Sequence, residues 1–137
     1  VNILLDTNAC IVLINGTSER VRERFSRAVR EGVTLATSSI VAHELWYGVA
    51  KSERREQNAR RLHEFLSRFI SVLDFTPQDA QSAGEIRATL ERRGERIGEY
   101  DTLIAGQALC RNLLLITANT REFRRVDGLR TDDWTVD

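Results

Sequence analysis

Short apolar runs separated by longer amphipathic stretches constrain this chain more than any other feature. The runs at 2–5 (NILL, with Val1 just ahead), 33–36 (VTLA), 70–75 (ISVLDF), 113–117 (LLLIT) and 134–136 (WTV) read as strands. Between them apolar residues recur every three or four positions, the helical period. Residues 9–15 read as a short apolar helix. Ser18 caps a helix reaching Arg30, with Val21, Phe25 and Val29 along one face, and Gly32 stops it. A helix from the serines at 38–39 to about Ala50 follows, then one from about Glu53 to Phe69 striped by Leu62, Phe65, Leu66 and Phe69. Pro77 stands in the first turn of a helix ending near Gly94, and residues 99–112 (EYDTLIAGQALCRN) form the last. Nearly pure apolar strands alternating with helices imply a parallel sheet covered on both faces, an α/β domain of three layers. With 137 residues and no linker or repeat, one domain spanning 1–137 is expected.

Charge narrows the function. Twenty basic and twenty acidic side chains cancel, which argues against a protein that holds nucleic acid by bulk charge alone. Lys51 is the only lysine, so the cations are arginines, suited to forked contacts with phosphate or carboxylate. No run approaches the length of a membrane span, and the N-terminus lacks the order of a signal peptide, so a cytoplasmic protein is expected. The chain contains no methionine and starts at Val1, which leaves an encoded start further upstream open. Cys10 and Cys110 sit inside apolar helical patterns and read as two small buried hydrophobes, with a disulfide as the open alternative.

The strand at 2–5 stops on Asp6-Thr7-Asn8, and an apolar run resumes behind it. Parallel sheets bind ligands beyond the carboxyl ends of their strands, where the strand order reverses. If the first and fourth strands are neighbours there, Asp6 and Asn119, two residues past Thr117, face one crevice. Glu44 shares its helical face with Ile40, Val41 and Gly48, away from His43. Asp101 lines up with Ile104, Ala105 and Ala108; taken singly, an aspartate there reads as a helix cap. Three carboxylates turned toward one crevice would repel each other and need a positive partner. Oxygen donors without useful histidine or cysteine spacing suit a hard cation, Mg²⁺ or Mn²⁺, and phosphoryl chemistry.

The segments LLDTN, HELWYG, IGEYDTLIAGQAL and LLLITANTREFRRVDGLRTDDW, in this order along the whole chain, resemble the PIN-domain ribonucleases, and specifically the VapC-type toxins of bacterial toxin–antitoxin modules. The resemblance implies a central parallel sheet of about five strands and metal-dependent endoribonuclease activity on tRNA or rRNA. It also implies neutralisation by a VapB-type antitoxin. The family's acidic set falls on Asp6, Glu44 and Asp101, with Asn119 at a fourth position that is Asp in some members. Asp6 and Asp101 are then the principal metal ligands, and Glu44 completes the set or orients the attacking water. Asn119 would hold a metal-bound water or the scissile phosphate, and an amide there favours one firm metal, with a second arriving beside substrate. Thr7, Asn8 and Thr117 are candidates to orient ligands, although Thr7 equally suits a plain turn hydroxyl. Glu99 is expected to face solvent.

Arg121, Arg124 and Arg125 are candidate phosphate contacts, or else a surface ion-pair set with Glu122 and Asp127. Trp46 and Tyr47 serve core or dimer packing, or stack on unpaired RNA bases. The apolar surplus around IVLI and LWYGVA suggests a homodimer and a groove for an antitoxin tail. Two other readings stay open: a PIN-fold binding module without catalysis, and a phosphorylatable receiver-like domain. The receiver wants a lysine after a late strand, and Lys51 is expected on a helix.

Overall fold

The computed structural model describes residues 2–136; Val1 lies outside them. Five strands, β1 (Ile3–Leu5), β2 (Leu35–Ser38), β3 (Ser71–Leu73), β4 (Leu114–Ile116) and β5 (Thr131–Asp132), form one parallel sheet in the order β3-β2-β1-β4-β5. Adjacent residues of a strand point to opposite faces, so the continuous burial of β1 and β2 means that both faces are covered. Leu4, Leu5, Leu115 and Ile116 at the centre are essentially inaccessible. β3 is the exception: as an edge strand it leaves Ser71 and Val72 exposed.

The helices are α1 (Thr7–Asn15), α2 (Glu19–Arg30), α3 (Ser39–Ala50), α4 (Arg55–Arg68), α5 (Pro77–Arg92), α6 (Glu99–Cys110) and α7 (Thr120–Phe123). Their ends follow local chemistry. Ser18 accepts the Val21 N–H, Ser38 accepts the Ile40 N–H, and Thr76 exchanges hydrogen bonds with Asp79 in a full capping box ahead of Pro77. Helices α5 and α6 approach so closely that a Cβ on Gly106 would stand 2.6 Å from the Ala83 backbone. Only glycine fits there.

Several expectations are corrected. The expected strand at 134–136 is a turn: β5 pairs Thr131 and Asp132 with Leu115 and Ile116, and the Asp132 carbonyl takes the Thr117 N–H where β4 ends. Trp134 instead drives its ring into the core, 4% exposed, while Asp133 caps the turn at Thr135. The second strand lies two residues later than VTLA, because Ser38 both ends it and caps α3. Val29 and Phe69 are half exposed, leaving Val21 and Ala28 to anchor α2, and Leu62 and Phe65 to anchor α4. Cys10 is fully buried, but Cys110 is exposed and both thiols are free, which removes the disulfide. Burial pushes the Cys10 thiol up to about 12, so it stays neutral. No helix of the described residues is long and apolar enough to cross a membrane.

The chain runs outward from β1 through β2 to β3, then returns to place β4 on the other side of β1. The strand order therefore reverses at β1 and β4, whose carboxyl ends lie side by side: the Asp6 N–H donates to the Ile116 carbonyl at 3.1 Å.

Candidate active site

At that reversal point stands Asp6, 6% exposed. It is the N-cap of α1: its Oδ1 accepts the Ala9 N–H at 2.8 Å, which starts the helix at Thr7, two residues before the sequence pattern predicts. One carboxylate thus ends a strand, begins a helix and keeps its remaining lone pairs for another partner. Burial raises the Asp6 carboxyl above its ordinary 3.8, opposed by hydrogen bonds from Thr117 and Ala9 and reinforced by the charges of Glu44 and Asp133.

Glu44 arrives from α3, as its helical phase predicts. Thr7 donates its hydroxyl to Glu44 Oε1 at 2.7 Å, tying the first residue of α1 to the middle of α3. The bond makes Thr7 more than a turn hydroxyl.

Asp101 lies in the first turn of α6 but does not cap it. The N-cap is Gly98, and no side chain closes that helix end. The cap that Asp101 suggests when taken singly is therefore not formed, whereas Asp6 does cap α1. Burial pushes the Asp101 carboxyl up to about 6, and the charges of Asp6, Glu122 and Glu44 add to it. Among the described residues, no cation contributes to the shift of Asp6 or Asp101.

Asn119 and Thr117 close the circuit. The Thr117 hydroxyl accepts the Asn119 N–H at 2.9 Å while hydrogen-bonding to Asp6, and the Asn119 side-chain amide donates to Glu122 Oε2 at 3.1 Å. Glu122, expected to pair with neighbouring arginines, instead joins the acids at the crevice through Asn119. Asp133, which acts on Asp6, was also missed. Neither was marked by periodicity, since α7 is one turn long and Asp133 follows a two-residue strand.

Other candidates lie further out. Asn8 is exposed and makes no side-chain hydrogen bond among the described residues. Arg121 and Arg124 are exposed, with no ion-pair partner among the described residues. The expected ion-pair set does not form: Asp127 is taken by Arg93, and Arg125 donates to the Arg96 carbonyl. Glu99 is exposed, as expected. Tyr47 is exposed with the Lys51 ammonium over its ring, and Trp46 lies along the α4 side of α3. His43 turns from the acids toward Tyr100.

Among the described residues no three side chains form a ready metal cage. The donor chemistry nevertheless fits a hard divalent cation: the groups are carboxylates, amide and hydroxyl, and among the described residues no cation offsets the charge on Asp6 and Asp101.

A PIN-domain family model matches residues 3–129. The chain is 46% identical over 132 residues to a tRNA(fMet)-specific endonuclease VapC of Shigella flexneri, covering 96% of this chain and 97% of that one. Among solved structures, VapBC2 of Rickettsia felis bound to a promoter DNA fragment superposes with a TM-score of 0.91 at 36% identity, covering 98% of this chain and 99% of that one. DNA-bound VapBC of Salmonella typhimurium gives 0.90 at 42%, covering 98% of each chain.

Proposed function

Because the chain belongs to the PIN-domain family, and within it to the VapC ribonuclease toxins, we propose that it is a divalent-metal-dependent endoribonuclease neutralised by a VapB-type antitoxin. The observation that carries this reading is the acid set at the sheet's reversal point, where burial and the charge of Glu44 raise the Asp6 carboxyl, and burial with the charges of Asp6, Glu122 and Glu44 raises that of Asp101. Such an arrangement destabilises the empty protein and rewards a cation.

In this reading Asp6, Glu44 and Asp101 hold Mg²⁺, with Mn²⁺ as a substitute. The bound ion supplies an activated water and offsets charge on the phosphate. Thr7 fixes the Glu44 carboxylate, and Thr117 fixes Asp6 and the Asn119 backbone. Asn119, steadied by Glu122, presents its amide to the scissile phosphate or to a water on the ion. Arg121 and Asn8 flank the crevice and position the RNA backbone. Glu122 adds a fourth acid near Asp101, which supports a second ion joining together with substrate.

The relative from Shigella flexneri is named for tRNA(fMet), so initiator tRNA is the substrate proposed first. The R. felis and S. typhimurium neighbours are toxin–antitoxin complexes, which supports a VapB-type partner here. A cytoplasmic homodimer built as one domain completes the proposal. A binding module without catalysis would have no use for mutually repelling buried acids. A receiver-like domain would need a lysine at the crevice, and the only lysine lies at the far end of α3 against Tyr47.

The test is cleavage of initiator tRNA by the purified chain with Mg²⁺ or Mn²⁺, with chelator, and as Asp6→Asn. Cutting that needs metal and Asp6 is expected, because asparagine still caps α1 and leaves the fold intact. Cutting that survives chelation, or persists undiminished in the variant, overturns it.

A further inference from the structure

Beside the acid set stands a feature that metal binding and hydrolysis do not use. His43 precedes Glu44 on α3, and Tyr100 precedes Asp101 on α6. Their rings meet across the two helices with centroids 5.6 Å apart and planes inclined at 53°, and His43 Nε2 lies 3.3 Å from Tyr100 Oη. Both are exposed, Tyr100 at 46%. The pair therefore contributes little to the core, yet it bridges the two helices that deliver Glu44 and Asp101. Large aromatic rings held in solvent by one another, one residue away from two site carboxylates, call for an occupant.

We propose that His43 and Tyr100 form a stacking platform for an unpaired base of the RNA next to the cut, an inference that rests on the ribonuclease reading and goes beyond it. Aromatic faces accept any base, and each stacked base contributes substantially to single-strand affinity. Cations for the backbone are at hand in the chain beyond Asn119, where Arg121 and Arg124 are exposed with no ion-pair partner among the described residues. The aromatic pair would read a base by its face, beside the acids. Trp46 and Tyr47, the aromatics the sequence suggested for this task, are directed to α4 and Lys51 instead. The platform acts on binding and register, so it is a specificity feature with no chemical step of its own.

The experiment uses a short single-stranded RNA carrying 2-aminopurine beside the cleavage position, titrated with the full chain in EDTA so that binding is read without cutting. Variants are Tyr100→Ala, Tyr100→Phe and His43→Ala, with thermal melting to verify folding. Stacking predicts quenched fluorescence with the parent chain and with Tyr100→Phe. Tyr100→Ala should lose the quenching and about tenfold in affinity, and His43→Ala should lose less. With metal restored, KM should rise in Tyr100→Ala while kcat changes little. Affinity within about twofold of the parent, or quenching that survives Tyr100→Ala, overturns the platform. Unchanged RNA affinity with weakened capture of a VapB-type antitoxin would instead assign the pair to the protein partner. If the parent neither binds nor cuts RNA, the ribonuclease reading fails first; if it cuts and Tyr100→Ala keeps the parental KM, only the platform fails.

Discussion

The buried aspartates Asp79 and Asp6 sit in opposite electrostatic conditions, and the half-buried Asp101 sides with Asp6. Asp79, in the first turn of α5, is fully inaccessible, yet it accepts from Arg111 at 2.9 Å and from the backbone of Thr76 at 2.9 Å. Burial raises its carboxyl, but the Arg111 guanidinium and Thr76 outweigh burial and hold it below the ordinary value. Asp6 and Asp101 have burial and other carboxylates acting on them, and both are raised. The Asp79 pair also joins α5 to α6, and Arg111 and Gln107 both donate to the Asp74 carbonyl after β3. A carboxylate that stabilises the fold arrives with its cation in the same chain. In the proposed reading a carboxylate kept without one is held for a ligand, and that difference would separate structural acid from site acid more sharply than burial does.

Breaking the site side of this contrast should give the largest effect. Asp101→Asn should lower RNA cleavage at least about a hundredfold, because several kcal/mol of charge stabilisation depend on the ion. The same variant should melt a few degrees higher than the parent in chelator, since it removes an unpaired charge. A melting temperature that falls would mean that Asp101 is structural after all.

Arg111→Ala breaks the other side. It strands the Asp79 carboxylate and should cost about 2 kcal/mol, allowing for the partial exposure of Arg111, or roughly 6–10 °C in melting temperature. Activity per folded molecule should hold. Thr7→Val comes next: it removes the donor on Glu44 without changing shape much, and activity and metal affinity should fall about tenfold.

pH sharpens the contrast without any substitution. A carboxyl raised to about 6 in the fold binds more protons than the unfolded chain between roughly pH 4 and 6. Asp101 therefore favours the metal-free fold below that window and ceases to do so as pH rises through it. The lowered Asp79 works the other way, stabilising above the unfolded value and losing its contribution as pH falls through the folded one. Melting curves in chelator should show the parent losing about 1 kcal/mol more than Asp101→Asn between pH 4.5 and 7, after screening. The smallest effect is expected from Arg121→Ala or Arg124→Ala: weaker RNA binding by a few-fold and a shallower salt dependence, with kcat preserved.

Much of the candidate site was legible because its acids break local patterns. Asp6 interrupts an apolar run, and Glu44 sits on an apolar helical face where a leucine would serve packing better. Asp101 was visible but ambiguous, since an aspartate near a helix start has a common structural use; the N-cap of α6 is Gly98, with no side-chain cap, so Asp101 does not have that use here. Glu122 was hidden among arginines on a one-turn helix too short to show a period. The His43–Tyr100 contact joins residues 57 positions apart, and nothing local to either announces it. The fold was legible for the same reason as Asp6: central strands buried on both faces are continuously apolar. At the sheet's edges that rule fails, so β3 is exposed and the last strand fell on Thr131 and Asp132 rather than on the residues around Trp134.

The most direct test of the account is metal binding itself, independent of any RNA. Titration of the chelator-treated chain with Mn²⁺ should show saturable heat and a rise in melting temperature, both abolished in Asp6→Asn and in Asp101→Asn and retained in Arg111→Ala once folded. An equal Mn²⁺ response in the parent and both acid variants would contradict the claim that these carboxylates were left unpaired to receive a cation.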